Sequence, residues 1–236
     1  MNKLFDNNIS LERESHTYNL ASNPDLEFTS ATTFVGQFFE EFNPLKVATR
    51  LVAKSPKYRG MTVEELLQVW RDSAEHGTIV HEEIENNILN QSPLTERKAI
   101  HGINWLNKFK LTSRFEMYPE VIVYSEELQL CGTIDLLVYD KEKDIYNLMD
   151  WKTSKSISTK SYGNKKGIKP ATADLDDTKF NLYSLQLSLY RYLLEEYYGL
   201  KIGQHMILHL KEEECIGVHT PYLKNNVLKM VETRLK

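Results

Sequence analysis

A chain of 236 residues with 41% hydrophobic content can bury one real core, with or without a subdomain, which excludes a wholly disordered chain or a minimal stapled scaffold. A net charge of −4 and a pI near 6.0 exclude a globally basic nucleic-acid binder, so any hold on polyanions must come from local patches. With only Cys131 and Cys215 there is no four-cysteine iron–sulfur or zinc site; with no apolar signal core or membrane-length run either, a reducing, cytoplasmic setting without membrane contact is expected.

In chain order, residues 9–20, which include Ser15-His16-Thr17-Tyr18, carry a polar alternation that predicts a short hairpin or an edge strand. Within residues 28–42, Ser30, Thr32 and Thr33 precede Phe34, Val35, Phe38 and Phe39, the spacing of an amphipathic packing helix with a hydroxyl cap. Asn43-Pro44 opens a helix to about Lys54, and residues 55–61 break it. Thr62 and Glu65 have capping-box spacing, and the helix they start runs through Leu66, Leu67 and Trp70 to about Glu75. Gly77 is expected to interrupt it. Residues 1–76 therefore read as a mostly helical part that covers the site, and residues 77–236 as the core.

Residues 78–89 form a further helical segment, with Val80, Ile84 and Ile88 on one stripe and the i, i+4 pair His81 and Glu85 beside it. The run His-Glu-Glu-Ile-Glu lacks the second histidine of a zinc-protease helix. A lone helical histidine is usually structural, but a neutral imidazole at the edge of a stripe completes a metal site if this helix packs over the strands that follow. Ser92-Pro93 starts another helix, with Ile100, Ile103, Leu106 and Phe109 facing the core. Residues 117–124 read as a strand, in which Glu120 projects toward the site as a further ligand or else makes a strand-edge salt bridge.

The chemistry concentrates in residues 132–152. Residues 128–139 and 145–151 are rich in β-branched and large apolar side chains, and Lys141 to Asp144 suits a four-residue hairpin loop. Alternation puts Asp135 on a face with Thr133 and Leu137, and Asp150 on a face with Leu148 and Lys152. Pairing Asp140 with Ile145 then sets Asp135 opposite Asp150. Adjacent carboxylates repel unless a proton or cation lies between them, so a hard divalent metal fits, with the Lys152 ammonium aimed at whatever anionic oxygen the metal holds. A one-residue slip in register would send Asp135 to the other face and leave Asp150 and Lys152 as ordinary strand-end residues.

Residues 152–169 contain six lysines and no acid, interleaved with Ser, Thr and Gly. Such a run is either a solvated loop or a track for a phosphate backbone, with Lys155, Lys160, Lys165 and Lys166 as the candidate contacts. After the acidic Asp174, Asp176 and Asp177, residues 180–198 form a tyrosine-rich helix with Tyr183, Gln186, Tyr190, Leu193 and Tyr197 along one face. The amide of Gln186 needs a partner, since an unsatisfied buried amide costs about 1–3 kcal/mol. Residues 205–210 and 215–219 read as closing strands and 221–235 as a C-terminal helix.

The series His81, Glu120, Gly132-Thr-Ile-Asp135, Asp150-Trp-Lys152 and Gln186-Leu-Ser-Leu-Tyr190 resembles, in order and context, the RecB and lambda-exonuclease-like branch of the PD-(D/E)XK nucleases. The likeness covers roughly residues 77–210, and the N-terminal part is similar to phage exonucleases and the mitochondrial genome maintenance exonuclease. It implies an α/β fold, a mixed central sheet flanked by helices in α-β-β-β-α-β order. It also implies roles: Asp135, Asp150, His81 and the Trp151 carbonyl as ligands of Mg²⁺ or Mn²⁺, with Glu120 a less certain one. Lys152 would position or deprotonate the attacking water, and Gln186 and Tyr190 would fix Lys152 or contact DNA near the scissile phosphate. Ile134 replaces the family's proline, the cluster cysteines are missing, and there is no Walker motif, so any ATP-driven unwinding belongs to a partner.

Cluster-free relatives often thread a single strand through a helical arch. The resemblance therefore implies exonucleolytic hydrolysis of DNA, single-stranded at the centre, with a recombination or single-strand-binding protein as a further partner. An endonuclease of the same fold acting on structured DNA or RNA, and a non-catalytic nucleic-acid-binding module, are the alternatives.

Overall fold

The computed structural model describes residues 3–13, 15, 17–108 and 113–235, so His16 and Phe109 lie outside the described residues. Two long strands rich in Val, Ile, Leu and Tyr, β4 (Phe115–Ser125) and β5 (Leu130–Asp140), pair antiparallel, and β5 turns through residues 141–144 into β6 (Ile145–Lys152). The register is the expected one, Asp140 with Ile145, and the ladder ends at Leu136 with Met149, one pair short of Asp135 and Asp150. A helical crossover, α5 (Lys179–Tyr198), brings β7 (Ile202–Leu210) parallel to β6, and β8 (Cys215–His219) closes the sheet antiparallel.

At the other end of β5, the short β3 (Thr29–Ser30) pairs parallel with Leu130 and Cys131. The result is a mixed six-stranded sheet flanked by helices, as expected for an α/β chain. On one face lie α1 (Ala31–Gly36), α5 and α6 (Lys224–Val231), packed on Val121, Val123, Leu137, Leu148 and Ile207. On the other, α3 (Val63–Asn90) and α4 (Arg97–Lys108) bury Val80, Ile84 and Leu106 against Leu136, Val138, Trp151 and Leu208. A separate hairpin of β1 (Ile9–Glu12) and β2 (Thr17–Leu20) packs on Tyr124 and Cys131.

Several boundaries differ from expectation for identifiable reasons. Gly77 does not interrupt the second N-terminal helix: α3 runs unbroken over 28 residues behind the full Thr62–Glu65 capping box. The glycine serves packing instead, because a Cβ there would sit 2.9 Å from the Thr153 hydroxyl. Helix α1 stops at Gly36 rather than extending over Phe38 and Phe39, since the Phe38 carbonyl is taken by Ile168 N–H at 2.9 Å and the Thr172 hydroxyl at 3.0 Å. Helix α4 begins at Arg97, not Ser92-Pro93. The Glu83 carboxylate of α3 accepts the Thr95 and Glu96 N–H groups at 3.0 and 2.8 Å and so organises that turn from outside. Helix α6 is shorter than residues 221–235, because Ser188 of α5 holds both the Pro221 carbonyl and the Leu223 N–H. The helix from Asn43-Pro44 appears as α2 (Pro44–Lys54), with Asn43 capping Lys46 N–H.

Gly132 fixes how closely α5 lies on β5, since a Cβ at that position would be 2.5 Å from the Tyr190 ring and 2.9 Å from its hydroxyl. Gly132→Ala is expected to destabilise the fold by about 1–3 kcal/mol. Urea unfolding checks this, and an unchanged midpoint would mean that Tyr190 withdraws freely.

Candidate active site

The site forms where the sheet departs from regularity. Alternation keeps Asp135 on a face with Thr133, both beside Tyr18, but not with Leu137. Ile134 and Leu137, an odd number of residues apart, both pack into the cluster under α5, as do Val121 and Tyr118 on the facing strand. Thr133, on the same face as Asp135, meets the Tyr18 hydroxyl of β2 at 3.0 Å. Both strands thus change phase together at Glu120 and Asp135, which the register places opposite each other between Pro119–Leu136 and Val121–Ile134. Glu120 takes a left-handed φ of 52° there, a conformation that costs of order 1–3 kcal/mol outside glycine and concentrates at functional sites. Neighbouring β6 has also diverged, and the Trp151 N–H donates to the Asp135 carboxylate at 2.8 Å instead of to a strand carbonyl.

Helix α3 lies over this irregular point and brings His81 to it. One ligand atom each from His81, Glu120 and Asp135 lies within 4.8 Å of the others, a group able to hold a metal ion. His81 Nδ1 is 3.6 Å from Asp135 Oδ2. Burial, reinforced by the Lys152 charge, lowers the His81 pKa to about 4, so the imidazole is neutral and free to ligate near pH 7. Burial raises Glu120 to about 8, with Asp135 and Glu85 adding repulsion. Burial also raises Asp135, against the pull of Lys152. Crowded, desolvated carboxyls whose ionised forms are disfavoured are what a divalent ion would relieve.

Asp150 stands outside that three-residue cluster. It is 2% exposed, and its Oδ2 forms an ion pair with Lys152 Nζ at 2.5 Å but has no hydrogen bond of normal geometry. Burial raises its pKa to about 6. Burial opposes the Lys152 charge, but Asp150 and then Asp135 outweigh it and keep the ammonium protonated. Lys152 also sits over the Tyr183 ring, 4.8 Å from its centroid. The amide of Gln186 finds its partner here: Nε2 donates to Asp150 Oδ1 at 3.4 Å and to the Tyr190 hydroxyl at 3.2 Å. Tyr190 lies above Gly132, and burial raises its pKa well above the ordinary value, so it acts as a neutral prop. The Trp151 side chain belongs to the α3/α4 core, while its main chain meets both His81 and Asp135.

The donor set of carboxylate oxygens and one imidazole suits a hard divalent ion, and the buried Asp150 carboxylate, paired with Lys152, is a further oxygen donor close to Asp135. The residues present fit such an ion.

The site opens into a cleft of 2510 Å³ between α2, α3 and the segment that follows β6. Lys155, Lys160 and Lys165 line it. Lys165 pairs with Glu40, and Lys166 pairs with Asp176 at 3.7 Å. The lysine segment is tied down rather than loose: Ser154 O meets His209 Nε2 at 2.6 Å and Thr153 O accepts from Lys98 at 3.3 Å. Sequence reading missed Arg13, whose guanidinium grips Glu85 at 2.9 and 3.0 Å beside the cluster, and the Lys152–Tyr183 contact. The Arg13 contact spans 72 positions and leaves no local signal. Tyr183 was on the predicted stripe, but its partner was not deducible.

No family model matches the chain. It is similar to an ATP-dependent helicase/nuclease protein of Carboxydothermus hydrogenoformans, with 29% identity over 103 residues, 44% of this chain and 7% of that protein. The chain thus matches only a small fraction of that relative's length. A likeness to the crystal structure of SSO0001 covers 88% of this chain and 74% of that one, at 13% identity and a TM-score of 0.39.

Proposed function

We propose that this chain is a metal-dependent deoxyribonuclease with a PD-(D/E)XK-type core, acting as an exonuclease on a strand that is single at the catalytic centre. The observation that carries the reading is the convergence of His81, Glu120 and Asp135 within 4.8 Å, next to the buried Asp150–Lys152 pair. The order α3/α4, β4, β5, β6, α5, β7 supports it, as does the partial likeness to a helicase/nuclease protein. Exonucleolytic action rests on the resemblance of the sequence motifs alone.

In this reading His81, Glu120, Asp135, Asp150 and the Trp151 carbonyl hold Mg²⁺ or Mn²⁺. When bound, such an ion activates water and neutralises charge on the transferring phosphoryl group. Lys152, kept charged by Asp150, orients the attacking water and places positive charge beside the phosphate oxygens as negative charge builds. Gln186 fixes the Asp150 carboxylate and is itself held by Tyr190. Lys155 and Lys160 steer the phosphate backbone into the cleft.

Linear and covalently closed circular single strands incubated with Mn²⁺ test the proposal. Linear strands should be degraded and circles spared, with EDTA stopping the degradation. Cutting of circles would favour an endonuclease, and binding without turnover in any divalent metal would overturn the enzyme reading.

A further inference from the structure

The cleft wall far from the metal cluster has a composition that phosphate chemistry alone does not explain. Among the described residues, ten basic and seven acidic side chains line the cleft, in a chain whose net charge is −4. Four of the acids, Glu82, Glu85, Glu120 and Asp135, belong to the His81 end together with Arg13 and Lys152, so the remainder of the wall carries eight basic and three acidic side chains among the described residues. Large apolar side chains are exposed on that same wall. Phe42 is 65% exposed and tilts 50° against Trp70, with ring centroids 6.0 Å apart. Tyr162, in the segment that follows β6, is 74% exposed, with the Arg50 guanidinium of α2 4.9 Å from its centroid. Exposed aromatic rings among cations are costly to leave in water, and they match a ligand that offers flat apolar faces and negative charge in alternation.

Helix α3 links this patch to the metal cluster. Trp70 and His81 are eleven residues apart, three full turns, so both face the cleft about 16 Å from each other. Between them the cleft-lining residues are Ser73, Ala74, Gly77 and Thr78, a low floor over which a chain can run.

We infer that Phe42, Trp70 and Tyr162, with Arg50, form a base-stacking subsite for an unpaired nucleic-acid strand, about three to five nucleotides from the phosphodiester at the His81 cluster. This deepens the nuclease reading and rests on it for the identity of the strand. The subsite grips bases without reading their sequence, because every base has a stackable face. It disfavours a duplex, whose bases are already stacked on each other.

The test measures fluorescence anisotropy of the full chain in EDTA, so that nothing is cut. The probes are a labelled twelve-residue oligothymidylate and the same strand made wholly abasic, which carries equal phosphate charge. The wild type is expected to bind the thymidylate strand about 5- to 100-fold more tightly. Trp70→Ala and the pair Phe42→Ala with Tyr162→Ala should weaken thymidylate binding toward the abasic value and leave the abasic strand and the salt dependence unchanged. Trp70→Phe should retain most of the difference. Equal wild-type affinity for the two strands, or variants that weaken both alike, would overturn the subsite. Hydrolysis of bis(p-nitrophenyl) phosphate with Mn²⁺ separates the two claims, since this small diester does not reach Trp70. Its turnover should survive Trp70→Ala, whereas a wild type that cleaves neither diester nor DNA removes the nuclease reading and leaves the stacking result to stand on the binding data.

Discussion

Lys152→Met is expected to lower Mn²⁺-dependent turnover by about 10³-fold and to destabilise the fold by about 3 kcal/mol, because it leaves Asp150 buried without its counterion. Adding Asp150→Asn to that variant should recover most of the stability and none of the turnover. The pair therefore separates charge balance from catalysis. The destabilisation also has a defined pH sign. In the unfolded chain Asp150 ionises near about 3.9, while burial in the folded chain raises it to about 6, and removing Lys152 takes away a charge that holds it down. The folded state therefore retains a proton that the unfolded state loses. The stability penalty of Lys152→Met should be small near pH 4 and grow as the pH rises through 6 and beyond. Urea unfolding of the two single variants and the double variant at pH 4.5 and 7.5 reads the cycle. A Lys152→Met variant as stable as wild type at pH 7.5 would show that Asp150 finds another cation.

Glu120→Gln is expected to make the metal-free protein more stable while removing metal binding and activity. The carboxyl lies at a φ of 52°, which glutamine inherits unchanged, so backbone strain cancels in the comparison. What differs is the charge. The folded-state pKa is raised to about 8 by burial, then by Asp135 and Glu85, against about 4.3 in an unfolded chain. Stability contributed by that proton is fully present below the unfolded pKa and is lost as the pH climbs to about 8, after which it levels off. Wild type and variant should therefore match near pH 4 and diverge by on the order of 2 kcal/mol at pH 8, allowing for partial solvation of the carboxyl. That gap corresponds to a rise of about 4–8 °C in Tm for a chain of this size. Metal binding to the wild type must expel the same proton, so Mn²⁺ affinity should rise roughly tenfold per pH unit for each proton released until about pH 8. Calorimetry across that range measures both quantities. A variant less stable than wild type at pH 8 would mean that Glu120 is ionised and favourably paired, with Arg13 the nearest candidate.

Sequence alone determined most of the helices, the central strands and the hairpin register, though not the short β3 or several helix ends. Capping residues at Ser30, Asn43 and Thr62, the four-residue loop after Asp140, and apolar stripes at periods of two and 3.6 are local signals, and local free energies decide them. It also placed Gln186 where an amide needs a partner, and the partner is Asp150. Gly77 misled because its weak helix propensity, about 1 kcal/mol, is outweighed by the fit of α3 against Thr153. Only the tertiary structure decided which residues share a site. Strict alternation fails at Glu120 and Asp135, where two strands change phase together, and periodicity has no means of registering a shift that paired strands make jointly. That shift turns Glu120 and Asp135 toward His81 of α3 and leaves Asp150 with Lys152, an arrangement set by how helix and sheet pack rather than by any spacing along the chain.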